Sequence, residues 1–335
     1  MGILINGQWH EGDNHKTEET GGKFVRKDST FRNWVTDNGA PGPSGDGGFQ
    51  AEPGRYHLYV VTACPWAHRT LIGRRLKGLE EVISVSRLIP EMTENGWCFP
   101  QPGAEPRAEP DPLYGANYIY EIYLRADPTC SARPTVPVLW DKQRETIVNN
   151  ESSEILRMLN SAFNAHATNP GLDLYPTELR AEIDAINEEV YPNVNNGVYR
   201  CGFATTQEAY DDAVTALFKT LDKLEGILEQ RRYIAGDSIT EADWRLFTTL
   251  LRFDVAYFSF FKCNVRRIAD YPNLSNYLRE LYQQKGIADL LDLDDVKRQY
   301  YSLERAWYGR PSIIPRGPFQ DLHAPHNRAR VSATA

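Results

Sequence analysis

Apolar residues follow two different patterns along the chain, and the change between them falls near residue 170. Between about residues 55 and 165, short apolar runs alternate with amphipathic segments. RYHLYVV, VISVSRLI, TVPVLW and ETIVN are rich in β-branched and aromatic residues and predict strands. WAHRTLIGRRLKGL, NYIYEIYLRAD and ESSEILRMLNSAF predict helices between and after them. The first pattern therefore indicates an α/β domain.

From about residue 175 to 290 the pattern indicates helices only. Apolar positions three and four residues apart form two helical stripes: Leu179, Ile183, Ile186 and Val190, then Tyr210, Val214, Leu217, Leu221, Leu224 and Leu228. Thr240 and Asp243 have the spacing of a capping box and predict the start of a further helix, WRLFTTLLRF. An all-helical domain is expected after the α/β domain.

These patterns divide the chain. Residues 1–52 are rich in Gly, Asp and Asn and predict an irregular N-terminal arm. Residues 53–167 have the order β-α-β-α-β-β-α of a thioredoxin-like sandwich, with a Pro/Gly/Glu-rich insertion at 90–113. The helical domain takes residues 175–310, and a Pro/His/Arg-rich tail takes 311–335. We predict a thioredoxin-like domain followed by an all-α domain.

The composition limits which kinds of partner the protein is expected to bind and in which compartment it is expected to work. A net charge of −8 over 335 residues disfavours nucleic acid, and no apolar run approaches the ~18 residues of a membrane span. Without a signal-peptide pattern at the start, a cytoplasmic protein is expected. The five cysteines, at 64, 98, 130, 201 and 263, suit neither a disulfide framework nor a zinc site, so no metal is predicted.

The stretch TACPWAHRT places Cys64 where a predicted strand meets a predicted helix. A thiolate at a helix N-terminus faces unpaired N–H groups and the positive end of the dipole, which lowers its pKa. Pro65 suits the first helical turn, and Arg69 adds positive potential. Because position 67 is Ala, the chain lacks a C-x-x-C partner, and an external thiol must resolve a mixed disulfide. The alternative is a buried structural cysteine.

Two further motifs suggest a ligand. In TVPV, Pro137 has no backbone N–H to donate to a neighbouring strand, so it lies at a sheet edge or follows a cis peptide bond. In thioredoxin-like folds, a loop with a cis-proline faces the cysteine at the helix start. In NNESSEI, Ser152 and the N–H groups of a helix start suit a carboxylate, and Glu151 suits an ammonium. The alternatives are an edge-strand proline and simple helix capping. Together with Cys64, these motifs fit a small thiol peptide with an amino-acid end, as in glutathione.

Long motifs support this interpretation. CPWAHRT, ENGW, TVPVLWD, IVNNESSEI, NNGVY, GFATTQEAYD and SITEADWR resemble those of the glutathionyl-hydroquinone reductases, the Xi class of glutathione transferases. The resemblance runs from GGKFVRKDSTFRNW to GPFQDLHAPH, nearly the whole chain. It implies a catalytic Cys64, the glutathione ligands Trp97, Arg133, Val136, Glu151 and Ser152, and a quinol pocket lined by Tyr199 and Tyr300. Tyr301 is adjacent and is an alternative to Tyr300.

The resemblance implies that Cys64 takes the glutathionyl group from a glutathionyl-hydroquinone, and that glutathione then releases it as oxidised glutathione. It also implies a homodimer, which the aromatic stretch AYFSFFKC at 256–263 favours. One alternative is an Omega-like thioltransferase or dehydroascorbate reductase that uses the same cysteine. The other is a non-catalytic binding module with a transferase fold.

Overall fold

The protein, seen in a computed structural model that describes residues 2–12, 17–309 and 311–331, forms two compact units. The first combines the beginning of the chain with Asp28–Leu172 and Leu290–Ile314. The second combines the segment that ends at Lys27 with Asp173–Asp289 and the chain from Pro315 onward. Each unit is thus built from separate stretches of sequence. The domain bounds given by the sequence pattern stay a prediction.

The first unit contains a small hairpin and a four-stranded sheet. Its strands are β1 (Ile3–Ile5), β2 (Gln8–His10), β3 (Tyr56–Val60), β4 (Ser84–Arg87), β5 (Val138–Asp141) and β6 (Thr146–Asn149). The sheet order is β4-β3-β5-β6, and only the β3–β4 pair is parallel. Every residue of β3 is buried, as expected for a central strand covered on both faces.

Helices complete the sandwich: α1 (Pro65–Lys77), α2 (Ile119–Ala126) and α3 (Ser152–Ser161). The order β3-α1-β4-α2-β5-β6-α3 confirms the predicted thioredoxin-like arrangement. Helix α1 packs closely on α3, because Gly73 has no side chain and a Cβ there would lie 2.6 Å from Leu156 Cδ1. Gly78 ends α1 with a φ of 64°, a conformation that glycine adopts without strain.

The predicted insertion is tied to the last helix, α9 (Leu293–Tyr308), within the first unit. Arg298 of α9 donates to Glu91 (Nε–Oε1, 2.7 Å) and to Glu105 (Nη2–Oε2, 2.7 Å), and it pairs with Asp295 on its own helix. Arg107 pairs with Asp295 from the insertion. Ion pairs therefore hold this loop against a helix that lies about 200 residues away in sequence.

Part of the N-terminal arm lies along β6. Asn33 N donates to Val148 O (3.0 Å), and Asn150 N donates to Phe31 O (3.1 Å), so the arm forms strand-like contacts around Arg32 and Asn149. The Phe31 ring packs edge-on against Tyr123. The irregular arm is held to the first unit by backbone hydrogen bonds.

The second unit consists of helices: α4 (Arg180–Val190), α5 (Gly197–Gly202), α6 (Gln207–Gln230), α7 (Glu241–Arg252) and α8 (Pro272–Tyr282). π-helical turns, Tyr191–Asn195 and Phe253–Tyr257, follow α4 and α7. The predicted capping box is confirmed, because Thr240 N donates to Asp243 Oδ2 (2.8 Å). In the described part of the chain, no helix has both the length and the apolar character needed to cross a membrane.

Candidate active site

Cys64 is the residue immediately before α1, as the sequence predicted. Its φ of −73° and ψ of 124° are extended, and its carbonyl accepts from His68 N (3.0 Å), the first hydrogen bond of the helix. Pro65 occupies the first helical position, where its missing N–H removes no helical hydrogen bond. The thiol is therefore held at the positive end of a 13-residue helix.

The loop before β5 faces this thiol. The Val136–Pro137 peptide bond is cis, and Cys64 Sγ lies 3.7 Å from Val136 O. Cys64 and Val136 are both buried, and Cys64 is only 6% exposed. The structure thus brings together three predicted site residues, Cys64, Val136 and Pro137, at the end of β3 and the start of β5.

Arg69 connects this region to the start of α3. It is 1% exposed, and its guanidinium carbon lies 4.6 Å from the centre of the Trp66 ring. Its Nη1 donates to Ser152 Oγ (3.4 Å), the first residue of α3. A buried cation therefore links the helix that carries the cysteine to the helix that carries the predicted carboxylate site.

Glu151 precedes α3 and caps it. Its Oε1 accepts from Ser153 N (3.1 Å) and from Ser153 Oγ (3.0 Å), and its Oε2 accepts from Ser29 Oγ (3.1 Å). Burial raises the pKa of this carboxyl, but these hydrogen bonds and the charge of Arg69 outweigh burial and bring its pKa below the ordinary value. Glu151 is therefore a half-buried carboxylate that stays ionised.

Trp97 and Arg133 lie in loops of the same unit. Trp97 follows β4 within the predicted insertion, is 8% exposed, and accepts from Ile119 N at its carbonyl (2.9 Å). Arg133 is half-buried in the segment between α2 and β5. Their assignment to glutathione stays a prediction.

Tyr199 belongs to the second unit. It lies in α5, just after the π-helical turn Tyr191–Asn195, and is buried among the rings of Phe203, Tyr257 and Phe261. π-Helical turns are rare and often mark functional sites.

Tyr300 lies in α9 of the first unit and is 1% exposed, and Tyr301 is 6% exposed. Both rings are buried, so burial does not separate the two alternatives.

Sequence reasoning missed two contacts of the predicted site residues, those of Arg69 with Ser152 and of Ser29 with Glu151. The sequence pattern indicates only the charge of Arg69, because its hydrogen bond to Ser152 joins residues 83 positions apart. Ser29 gave no signal, because it reaches Glu151 from 122 residues away. Within the described ranges, no group of three or more His, Cys, Asp or Glu side chains suits a metal ion.

Glutathione transferases typically combine a helical unit with a thioredoxin-like unit that has a thiol at a helix start, a cis-proline loop and a capped carboxylate. The family described as "Glutathione S-transferase, N-terminal domain" matches residues 63–162, and "Glutathione S-transferase, C-terminal domain" matches residues 207–280. The chain belongs to the glutathione S-transferase family, and within it to the group that contains the glutathionyl-hydroquinone reductases.

Full-length relatives support this assignment. The glutathionyl-hydroquinone reductase YqjG of Escherichia coli is 54% identical, with 98% of each chain covered. The glutathionyl-hydroquinone reductase PcpF of Sphingobium chlorophenolicum is 52% identical over 96% of this chain and 98% of that protein. The glutathione S-transferase omega-like 2 of Schizosaccharomyces pombe is 44% identical over 90% of this chain and 95% of that protein.

A solved structure gives the same result. The glutathione-bound structure of E. coli YqjG superimposes with a TM-score of 0.89 at 51% identity, covering 98% of this chain and 99% of that chain. The Xi-class transferase of Natrialba magadii also gives a TM-score of 0.89, at 44% identity, covering 99% of this chain and 98% of that chain. The resemblance noted from the sequence motifs is confirmed, and so is the predicted fold.

Proposed function

We propose that this enzyme uses glutathione to reduce glutathionyl-hydroquinones to free hydroquinones. The observation that carries the proposal is the position of Cys64, at the start of α1 with its Sγ 3.7 Å from Val136 O and with Ala at position 67. A lone nucleophilic thiol beside a peptide-binding loop needs a second thiol from outside the protein. Two relatives that are more than half identical to this chain are named for the same activity.

The first half-reaction breaks a carbon–sulfur bond. The Cys64 thiolate attacks the glutathionyl sulfur, a Cys64–glutathione disulfide forms, and the aromatic carbon leaves with the bonding electrons and takes up a proton. Tyr199 or Tyr300 supplies hydrogen bonds to the hydroquinone and donates that proton. The hydroquinone carbon is reduced, and the two sulfurs are oxidised to the disulfide.

The second half-reaction restores the enzyme. A glutathione thiolate attacks the glutathionyl sulfur of the mixed disulfide, oxidised glutathione leaves, and Cys64 returns to the thiolate. The charge at a helix N-terminus stabilises Cys64 as a leaving group in this step. Glutathione therefore performs the task that the second cysteine of a C-x-x-C motif performs in other thioredoxin-like proteins.

The glutathione site follows from the groups around the two helix starts. The ionised Glu151 binds the ammonium of the γ-glutamyl group, and Ser152 with the first N–H groups of α3 binds its carboxylate. Val136 pairs with the peptide backbone at the cis-proline loop, which Pro137 shapes. Trp97 and Arg133 complete the set of glutathione ligands.

Mass spectrometry of the products tests this function directly. The enzyme is mixed with glutathionyl-menadiol and glutathione, and menadiol and oxidised glutathione are expected in equal amounts. An intermediate heavier by one glutathionyl group should be found on the Cys64 peptide when the second glutathione is withheld. Failure to release menadiol, with rapid reduction of a glutathione mixed disulfide, would instead support an Omega-like thioltransferase, the activity class that the S. pombe relative's name favours.

The assembly and the compartment belong to the same proposal. We expect a homodimer in the cytoplasm, which light scattering at micromolar concentration and fractionation of cells would check. A monomer mass at that concentration would contradict the dimer.

A further inference from the structure

Arg26 lies in the N-terminal arm, in the short stretch that belongs to the second unit. Its Nε donates to Asn196 Oδ1 (2.8 Å), and its guanidinium carbon lies 4.9 Å from the centre of the Tyr199 ring. The same guanidinium lies 5.5 Å from the centre of the Phe24 ring. One half-buried cation thus contacts both a polar side chain and the ring of a tyrosine proposed to serve catalysis.

Asn196 is part of the turn that carries Tyr199. Its backbone N–H donates to Tyr191 O (2.8 Å) across the π-helical turn, and its carbonyl accepts from Tyr199 N (3.1 Å) at the start of α5. A hydrogen bond to the Asn196 side chain therefore restrains the backbone from which Tyr199 projects. Arg26 restrains Tyr199 twice, through this backbone and through the face of its ring.

Cation–π stacking has a chemical effect besides its mechanical one. A guanidinium over a phenol ring is attracted to the negative face of the ring. Because a nearby positive charge also stabilises negative charge on the phenol oxygen, the hydroxyl becomes a stronger hydrogen-bond donor. The Tyr199 ring also packs against the rings of Phe203, Tyr257 and Phe261. Arg26 therefore brings a positive charge to this aromatic cluster.

Two similar stacks in the second unit show what a structural role looks like. The guanidinium of Arg180 lies 5.0 Å from the ring centre of Tyr175, and that of Arg266 lies 4.6 Å from the ring centre of Tyr271. In both, the tyrosine hydroxyl donates to a carboxylate, Asp184 in the first and Asp222 in the second. Those hydroxyls serve the fold. The Arg180–Tyr175 stack is a matched control for the Arg26–Tyr199 stack.

We propose that Arg26 is a positioning residue for Tyr199, and that it sets the rate at which the hydroquinone is released from the glutathionyl sulfur. The inference rests on the proposed function, because it needs Tyr199 to act on the aromatic part of the substrate. Arg26 acts through Tyr199 and does not bind glutathione. Its loss should therefore affect only substrates that carry a hydroquinone.

The test compares Arg26→Gln, Arg26→Lys and the control Arg180→Gln on two substrates, glutathionyl-menadiol and the mixed disulfide of glutathione with 2-mercaptoethanol. Arg26→Gln should lower kcat for menadiol release about tenfold, because a misplaced catalytic group costs one to two powers of ten. KM for glutathione and turnover of the disulfide should stay within about twofold of the wild type. Arg26→Lys keeps the charge over the ring and should recover part of the lost rate.

A double-mutant cycle separates positioning from packing. In a Tyr199→Phe background, Arg26→Gln should cause little further loss, because its effect passes through the hydroxyl that is already absent. Equal losses on the two substrates, additive losses in the cycle, or a wild-type rate for Arg26→Gln would each overturn the inference. If the wild type itself releases no menadiol, the proposed function fails, whereas wild-type release that is unaffected by Arg26→Gln removes only the role of Arg26.

Discussion

Helices α1 and α3 pack against each other, and they begin with different chemistry. Helix α1 follows Cys64, whose thiol is directed at Val136 O, whereas α3 follows Glu151, whose carboxylate accepts from Ser153 N. Both N-termini carry the partial positive charge of a helix dipole. The same electrostatic feature therefore suits the proposed nucleophile at one helix and the proposed binding charge at the other.

The two groups differ in what their proposed roles require. Glu151 is fixed by hydrogen bonds from both the backbone and the side chain of Ser153 and from Ser29, and its pKa lies below the ordinary value in spite of burial. A charge that only binds the substrate can be fixed in one position, because it interacts equally with the ground state and the transition state. A sulfur that must form and break a disulfide has to remain available for attack. The comparison predicts separate kinetic effects for substitutions at the two helix starts.

The largest effect is expected at Cys64. Cys64→Ser should abolish hydroquinone release, because a serine hydroxyl is not ionised near neutral pH and forms no mixed disulfide. The serine is close in size to cysteine, so the fold and glutathione binding should persist. Steady-state turnover and isothermal titration with glutathione check the two parts. Wild-type turnover in the variant would disprove the mechanism.

Alkylation by iodoacetamide should separate Cys64 from the other cysteines by more than about 100-fold in rate at pH 7.5. Burial raises the pKa of Cys98 and of Cys130 to about 11, and burial also raises the pKa of Cys263. A raised thiol pKa keeps the unreactive protonated form at neutral pH, so labelling at Cys98 should appear only as the pH approaches 11.

Peptide mass spectrometry over a pH series measures these rates. A rate at Cys98 equal to that at Cys64 at pH 7.5 would show that the helix start gives Cys64 no advantage.

Tyr199→Phe or Tyr300→Phe should lower turnover of a glutathionyl-hydroquinone by on the order of 10²-fold and spare a simple mixed disulfide. The hydroxyls are assigned to the quinol, which the disulfide lacks. Tyr301→Phe distinguishes the two neighbouring tyrosines, because a selective loss at Tyr301 and none at Tyr300 would assign the quinol contact to Tyr301. Equal losses on both substrates would assign these tyrosines to the glutathione site or to the fold.

The smallest effect is expected at Glu151. Glu151→Gln should raise KM for glutathione about tenfold and leave kcat nearly unchanged, since the ammonium is far from the reacting sulfur. Because the pKa of Glu151 is lowered, the difference in the Kd for glutathione between wild type and Glu151→Gln should persist as the pH falls from 7 to about 4.3, the ordinary carboxyl pKa. Glu145→Gln, which removes an exposed ion-paired carboxylate of the same unit, is the control. A collapsed kcat with unchanged KM would contradict the binding role.

Local patterns predicted much of this arrangement. The alternation of apolar runs gave the order of strands and helices, and the strand–Cys–Pro–helix sequence placed Cys64 before α1. Local sequence patterns reveal the periodicity of the apolar positions and the residues that cap helices, and both depend on neighbours a few residues away. They predicted neither the Ser29–Glu151 hydrogen bond nor the contact of Arg26 with Tyr199, because those pairs are more than 100 residues apart. Such contacts depend on the whole fold.

The first unit needs a helix that is synthesised late. Its central stretch ends at Leu172, but α9, with Arg298 and its partners Glu91 and Glu105 across the unit, is not complete until Tyr308. At a typical 5–20 residues per second, a ribosome takes on the order of 10 s to add the intervening chain. During that interval the acidic insertion has no arginine from α9 to pair with. The order of synthesis therefore requires the thioredoxin-like unit to finish assembling after most of the helical unit has been made.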